Sequence, residues 1–240
     1  MNPQYSYLAD IYSHLMKLIN YKDWATYISA LYDAFDIKGD KILELAGGQC
    51  SVSRYLVKKY PKIISTDLSL QMLKNCNESR IVKVCCNMLA PPFKEQFDYI
   101  FSTFDSVNYL LTEDHLRVLF LSVSEIMHKN SYFTFDVSLE RNSIKYQKHL
   151  NRRGVFNGIK YIQKSNYNRE ERIHYNDFQI ELENGQIYEE QHKQKIYEFE
   201  DYFRILEETN LKVVACFDSF TFDDANHKTE RAQFILKKRV

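Results

Sequence analysis

Lys41-Ile42-Leu43-Glu44-Leu45-Ala46-Gly47-Gly48-Gln49-Cys50 is a short apolar run that dissolves into small residues, and a helical pattern follows it over residues 51–60. The stretch reads as a β-strand, a tight turn and a helix start. Small side chains in such a turn let the backbone come close to a ligand, and the helix N-terminus behind it offers unpaired N–H groups. Taken alone, the same residues suit an ordinary strand-to-helix turn equally well. The surroundings decide between the two.

C-terminal to the turn, short apolar runs alternate with helical patterns. Residues 62–68 and 81–87 read as a second and a third strand, with a helix at 69–76 between them. Residues 97–103 give a fourth strand, 112–129 a long amphipathic helix opened by Thr112 with Glu113 and Asp114 in its first turn, and 131–138 a fifth strand. Strands alternating with helices at this spacing predict a parallel sheet covered by helices on both faces. N-terminal to the turn, Leu8, Ile11, Tyr12, Leu15, Leu18 and Ile19 follow the three- and four-residue spacing of one helix face, and Trp24, Ile28, Leu31, Tyr32 and Phe35 follow that of a second. Beyond residue 150 the texture becomes alternating and aromatic. Residues 158–168, 172–182 and 186–199 read as an antiparallel meander with turn signals such as Asn184-Gly185. A helix at 200–210 and strands at 211–220 and 231–239 close the chain. The expectation is an α/β fold: a Rossmann-like, mostly parallel sheet of seven strands with helices on both faces, plus a small antiparallel β insertion. One domain spans 1–240, made of N-terminal helices (1–40), a ligand-binding core (41–140), the insertion (150–198) and the last helix and strands (199–240).

Composition narrows the function. With 32 Lys+Arg against 32 Asp+Glu, no long-range field draws a polyanion, so nucleic acid is not the expected partner. The opening residues lack a basic stretch followed by an apolar run, and no segment approaches 18 consecutive apolar residues, so neither a signal peptide nor a membrane span is expected. Five cysteines without a C-x-x-C pair predict reduced thiols in a cytoplasmic protein, and adjacent Cys85 and Cys86 point to opposite faces of a strand, so no metal site is expected. Asp67 ends the second strand about 20 residues past the turn, where nucleotide-binding sheets place the carboxylate that accepts both ribose hydroxyls. Its alternative role is a cap for the following helix.

The third strand ends Cys86-Asn87-Met88, and the fourth runs Phe97-Asp98-Tyr99-Ile100-Phe101-Ser102-Thr103-Phe104-Asp105-Ser106-Val107-Asn108-Tyr109-Leu110. With the acidic glycine-containing turn and Asp67, this series resembles the class I S-adenosylmethionine-dependent methyltransferases over residues 41–140. The stretch 102–110, the opening Tyr5-Ser6-Tyr7-Leu8-Ala9-Asp10-Ile11-Tyr12 and the closing Glu230-Arg231-Ala232-Gln233-Phe234 are similar to small-molecule N-methyltransferases acting on glycine-type amines and amino sugars. Two turn glycines of that pattern are Ala46 and Cys50 here, and its strand-three aspartate is Asn87, whose carbonyl oxygen can still meet an adenine amino group.

The resemblance implies S-adenosylmethionine as cofactor, with Tyr5, Glu44, Ala46, Gly47, Gly48, Asp67, Leu68, Met72, Asn87, Met88, Thr103 and Phe104 around it. It implies Tyr12, Asn108 and Tyr109 at the reacting end. Methyl transfer from a sulfonium is an in-line displacement with a good leaving group, so the protein supplies alignment and shelter from water. Tyr5, Tyr12 and Phe104 suit a cation as aromatic walls. A neutral amine needs no base, whereas a hydroxyl does. Among the seven histidines, His174 and His192 sit in the insertion that could cover the acceptor. The expected activity is methyl transfer to a small-molecule acceptor, an amine ahead of a hydroxyl, in a chain that can pair into a homodimer through the insertion. The alternatives are a non-catalytic S-adenosylmethionine-binding partner or sensor, a methyltransferase acting on tRNA or protein, and a dinucleotide-dependent oxidoreductase, for which the turn lacks a full G-x-G-x-x-G.

Overall fold

The computed structural model describes residue 5 and residues 7–239; residues 1–4, Ser6 and Val240 of the expectations above lie outside the described residues. Helices α1 (Leu8–Leu15) and α2 (Tyr21–Ala34) lead into β1 (Ile42–Leu45), α3 (Ser53–Leu56), β2 (Ile64–Asp67), α4 (Leu70–Lys74), β3 (Val82–Cys85) and β4 (Phe97–Ser102). A 3-10 turn (Ser106–Tyr109), α5 (Glu113–Glu125), β5 (Met127–Ser138) and α6 (Glu140–Tyr146) follow. Next come β6 (Arg152–Phe156), β7 (Ile159–Asn168), β8 (Ile173–Glu181) and β9 (Ile187–Lys195), then α7 (Phe199–Glu207), β10 (Leu211–Asp218) and β11 (Arg231–Lys238).

The main sheet has seven strands, as expected, and their order is β3-β2-β1-β4-β5-β11-β10. β3, β2, β1, β4 and β5 are mutually parallel, and β11 runs antiparallel to both neighbours. β1 is buried along its whole length, as a strand covered on both faces must be. Tyr99, Phe101 and Ile235 pack with α2 residues Trp24, Ile28 and Leu31 on one face. Ile100, Phe133, Phe135 and Phe234 pack with α5 and α7 residues Leu116, Phe120, Tyr202 and Ile205 on the other. The chain leaves β1 toward β2 on one side and returns at β4 on the other. Ligands of open α/β sheets bind at the carboxyl ends beside such a switch point.

Strands β6 to β9 form a separate antiparallel sheet. The sequence pattern gives three of them; β6 is additional, because Arg152-Arg153-Gly154-Val155-Phe156 has too little alternation to stand out and is strand through its pairing with β7. The helix read over 112–129 stops at Glu125, because Met127 pairs with Phe97 in the sheet and Ser131 Oγ accepts the His128 N–H at 2.9 Å while donating to Phe97 O at 2.6 Å. Sheet pairing overrides helical periodicity there. The helix read over 51–60 contracts to Ser53–Leu56, with turns on both sides. α6 has no counterpart in the sequence reading. Helix α1 packs Leu8, Ile11 and Leu15 onto Tyr161, Phe178 and Ile180 of the insertion, so the insertion and the N-terminus form one layer. Among the described residues no helix is long and apolar enough to cross a membrane.

Candidate active site

The turn after β1 is built on left-handed backbone. Ala46, Gly48 and Cys50 have φ of 54°, 57° and 55°. Ala46 and Cys50 stand where the resembling pattern has glycine, so the conformation persists at a steric cost that glycine would not incur. Gly47 is there for space: a Cβ would overlap Ser65 Oγ and the Glu44 carboxylate. Gly47 N donates to Thr66 O at 2.8 Å, and Gly48 N donates to Asp67 Oδ2 at 2.8 Å. Asp67 Oδ1 accepts from Ser69 N at 2.8 Å, so one carboxylate ties the first turn to the second. Burial pushes the Asp67 carboxyl up, opposed by the Ser69 and Gly48 amides.

Glu44 lies beneath this turn, 1% exposed, its Oε2 accepting from Ser53 Oγ and Ser65 Oγ at 2.5 Å each. Burial pushes its carboxyl to about 7 against the pull of those two hydroxyls. Glu44 therefore shapes the turn from below. On the outer side, Leu68 is exposed, Met72 is buried with its Cε facing Gly48, and Asn87 is exposed with its Oδ1 accepting from Leu89 N at 2.9 Å. Met88 is partly buried against the core.

At the end of β4, Thr103 is buried and two successive non-glycine residues, Phe104 and Asp105, have φ of 61° and 49°. Strained pairs of this kind persist only when their surroundings over-determine them. Here Asp105 N donates to Asp136 Oδ2 at 2.9 Å, Gln194 Nε2 donates to Asp105 Oδ2 at 2.6 Å, and Arg231 Nη1 meets Asp105 Oδ1 at 2.7 Å while also pairing with Asp136. The Phe104 ring packs on Trp24 at 4.5 Å and Tyr21 at 5.3 Å between centroids. Asn108 is fully buried; its Nδ2 donates to Ser138 O (3.2 Å) and Lys195 O (2.7 Å), and its Oδ1 accepts from Ser138 N (2.9 Å). Both amide hydrogens are thus committed to joining β4, β5 and β9, which places Asn108 as a staple under the site.

The N-terminal segment crosses the carboxyl edge of the sheet. Ser69 Oγ reaches Tyr5 O at 3.5 Å, and the Tyr5 and Tyr109 hydroxyls meet at 2.7 Å, so Tyr5 spans from the end of β2 to the end of β4. Tyr12 packs edge-on to Tyr5 at 5.7 Å. Burial pushes all three tyrosine hydroxyls up, so they stay protonated and serve as donors and aromatic walls. Glu190 of β9 holds the segment down: Oε1 accepts from Tyr7 N (2.7 Å) and Leu8 N (3.0 Å), and Oε2 from Tyr5 N (2.9 Å). Gln49 Nε2 and Asn75 Nδ2 both donate to Ala9 O, fastening α1 to the turn side.

The structure thus brings Tyr5, Tyr12, Ala46, Gly47, Gly48, Asp67, Phe104 and Tyr109 to one edge. Glu44 and Asn108 lie below it, and Leu68 and Asn87 follow the ends of β2 and β3 with exposed side chains. The sequence reading missed Asp105, Gln194, Arg231 and Glu190. Each is a charged or polar residue that becomes informative only through partners far away in the chain. Left-handed backbone at a switch point, a glycine without room for a Cβ and a carboxylate at the end of β2 together fit a nucleoside with a flexible polar tail, S-adenosylmethionine included.

Residues 42–130 match the methyltransferase domain family. The chain shares the fold of a solved S-adenosylmethionine-dependent methyltransferase. It is 26% identical to YqeM of Bacillus subtilis (strain 168), a protein named as a candidate methyltransferase, over 98% of this chain and 97% of that one. A S-adenosylmethionine-dependent methyltransferase from Clostridium acetobutylicum ATCC 824 superposes with a TM-score of 0.80 at 22% identity, covering 98% and 99% of the two chains. The sugar N-methyltransferase KedS8 from Streptoalloteichus sp ATCC 53650 superposes with a TM-score of 0.75 at 12% identity, covering 96% and 92%.

Proposed function

We propose that the chain transfers the methyl group of S-adenosylmethionine to the nitrogen of a small amine. The observation that carries this reading is the left-handed turn at 46–50 pinned to Asp67 beside the switch point, with an aromatic roof of Tyr5, Tyr12 and Tyr109 above the same edge. In this reading Asp67 accepts the ribose hydroxyls, Ala46, Gly47 and Gly48 line the amino-acid tail, and Leu68, Met72, Asn87 and Met88 flank the adenine. Glu44 sets the turn from beneath. Thr103, Phe104 and Tyr5 surround the sulfonium, whose charge suits aromatic faces. Tyr12 and Tyr109 orient the acceptor, and Asn108 fixes the backbone that carries Tyr109.

A small acceptor fits a site roofed by α1 and the insertion and a chain without net charge. That KedS8 is named as a sugar N-methyltransferase supports nitrogen over oxygen. Pairing of two copies through the insertion belongs to the same reading, supported by exposed Val155, Ile162 and Ile187 on one face of that sheet. The test is formation of S-adenosylhomocysteine from S-adenosylmethionine with a panel of amino sugars and amino acids, followed by mass spectrometry of the acceptor. A mass gain of one methyl on an amine is expected. Methylation confined to hydroxyl compounds, or cofactor binding without turnover on any acceptor, contradicts the amine reading.

A further inference from the structure

His192 lies on the inner face of β9, two residues from Glu190, and is 2% exposed. Its ring packs on Tyr5 at 4.5 Å, Phe178 at 5.5 Å and Tyr109 at 6.1 Å between centroids. It therefore stands against the two tyrosines whose hydroxyls pair over the carboxyl edge of the sheet. Its Nε2 lies 3.3 Å from Glu190 Oε2. Its Nδ1 is buried with no hydrogen-bond partner among the described residues. A buried polar atom in a folded protein almost always has a partner, so Nδ1 has an unused hydrogen-bonding position on the ring that packs on Tyr5 and Tyr109.

The partners of Glu190 fix the state of the imidazole. Burial pushes the Glu190 carboxyl up, but the hydrogen bonds from His192 and from the Tyr7 and Leu8 amides outweigh it, and the group sits below its ordinary range. An ionised Glu190 accepts a hydrogen bond from Nε2–H. That tautomer leaves Nδ1 as a bare lone pair. The titratable groups packed around the ring are Glu190 from β9, Tyr5 from the N-terminal segment and Tyr109 from the 3-10 turn, and both tyrosines remain protonated. Among these groups His192 is the one with a free lone pair on nitrogen.

We propose that His192 Nδ1 is the proton acceptor for the substrate amine, with Glu190 as the residue that orients it. The proposal rests on the amine-methyltransferase reading above. An amine arrives as an ammonium ion and cannot attack until it loses a proton. Nδ1 takes that proton, and Glu190 balances the imidazolium charge. The freed nitrogen lone pair forms the bond to the methyl carbon as the carbon–sulfur bond breaks, its electron pair staying on sulfur. The products are a methylated ammonium ion, S-adenosylhomocysteine and one proton, which leaves His192 for solvent.

Two readouts test this. Imidazole 15N NMR of the protein saturated with S-adenosylhomocysteine at neutral pH is expected to show His192 protonated on Nε2 and bare on Nδ1. A proton on Nδ1 overturns the proposal whether or not the chain turns over. In turnover, with the amine that the wild type methylates fastest, His192→Asn is expected to lose about 10²–10⁴-fold in kcat/KM at pH 7. S-adenosylmethionine affinity is expected to stay within threefold, and the loss to shrink about tenfold per pH unit as the amine deprotonates unaided. Glu190→Gln is expected to show the same pH-dependent loss in smaller measure. A His192→Asn variant with wild-type turnover, or one whose loss is the same at every pH, overturns the proposal. Failure of the underlying function reading is seen separately, in a wild-type protein that does not bind S-adenosylmethionine.

Discussion

A Gly47→Ala variant is expected to unfold about 3 kcal/mol more easily than the wild type and to lose at least tenfold in S-adenosylmethionine affinity. The added methyl has no direction in which to relax. It meets Ser65 Oγ and the Glu44 carboxylate, both buried and bonded to each other, and Gly47 N is tied to Thr66 O. The neighbouring glycine gives the contrast. At Gly48 a Cβ would come no closer than 3.1 Å to anything, and then only to the mobile end of Met72. Gly48→Ala therefore costs mainly its left-handed backbone, about 1–2 kcal/mol. Urea denaturation of both variants separates the two causes. Equal losses would contradict the account of the turn, because backbone conformation alone would then explain them.

Glu44 should make the protein less stable as pH rises from about 4.5 to about 7. Its carboxyl is pushed to about 7 in the folded chain by burial, against an ordinary 4.5 in the unfolded one. Between those values the unfolded chain has released a proton that the folded chain still holds, so rising pH favours unfolding. The effect is complete above the folded value and amounts to about 3 kcal/mol. Asp136, also raised by burial to about 6, acts in the same direction, while Glu190 acts oppositely. The difference between wild type and Glu44→Gln isolates the one residue. Measured by urea denaturation, the variant is expected to gain about 3 kcal/mol relative to the wild type between pH 4.5 and pH 8. Parallel pH profiles for the two proteins would mean that Glu44 is solvated, and that the turn is held by something else.

The residues that announced the fold did so through local pattern. Ile42, Leu43 and Leu45 form an apolar run bounded by small residues, and such a run is legible because a central parallel strand is buried on both faces. Thr112 and the acidic first turn marked α5, and Asn184-Gly185 marked the β8–β9 hairpin, where Gly185 has φ of 81°. What escaped was set by distant pairing. β6 is a strand because β7 lies beside it, and β5 begins early because Met127 meets Phe97.

The site divides in the same way. Gly47, Gly48 and Asp67 could be found because turn and carboxylate lie at a recognisable spacing along the chain. Asn108 sits beside Tyr109 in sequence, yet its amide faces Ser138 and Lys195, a placement that no spacing rule reveals. Glu190 closes on Tyr5, Tyr7 and Leu8 from the far end of the chain. Within its own strand it is one acidic residue in a polar run, so the clamp over the site had no local signal.

The central claim is that the turn at 46–50 and Asp67 hold S-adenosylmethionine even with Ala46 and Cys50 where related turns carry glycine. Calorimetric titration of the purified wild-type protein with S-adenosylmethionine, and separately with NAD, tests it most directly. Micromolar binding of S-adenosylmethionine with no heat from NAD is the predicted result. No binding of S-adenosylmethionine, or tighter binding of NAD, would contradict the account.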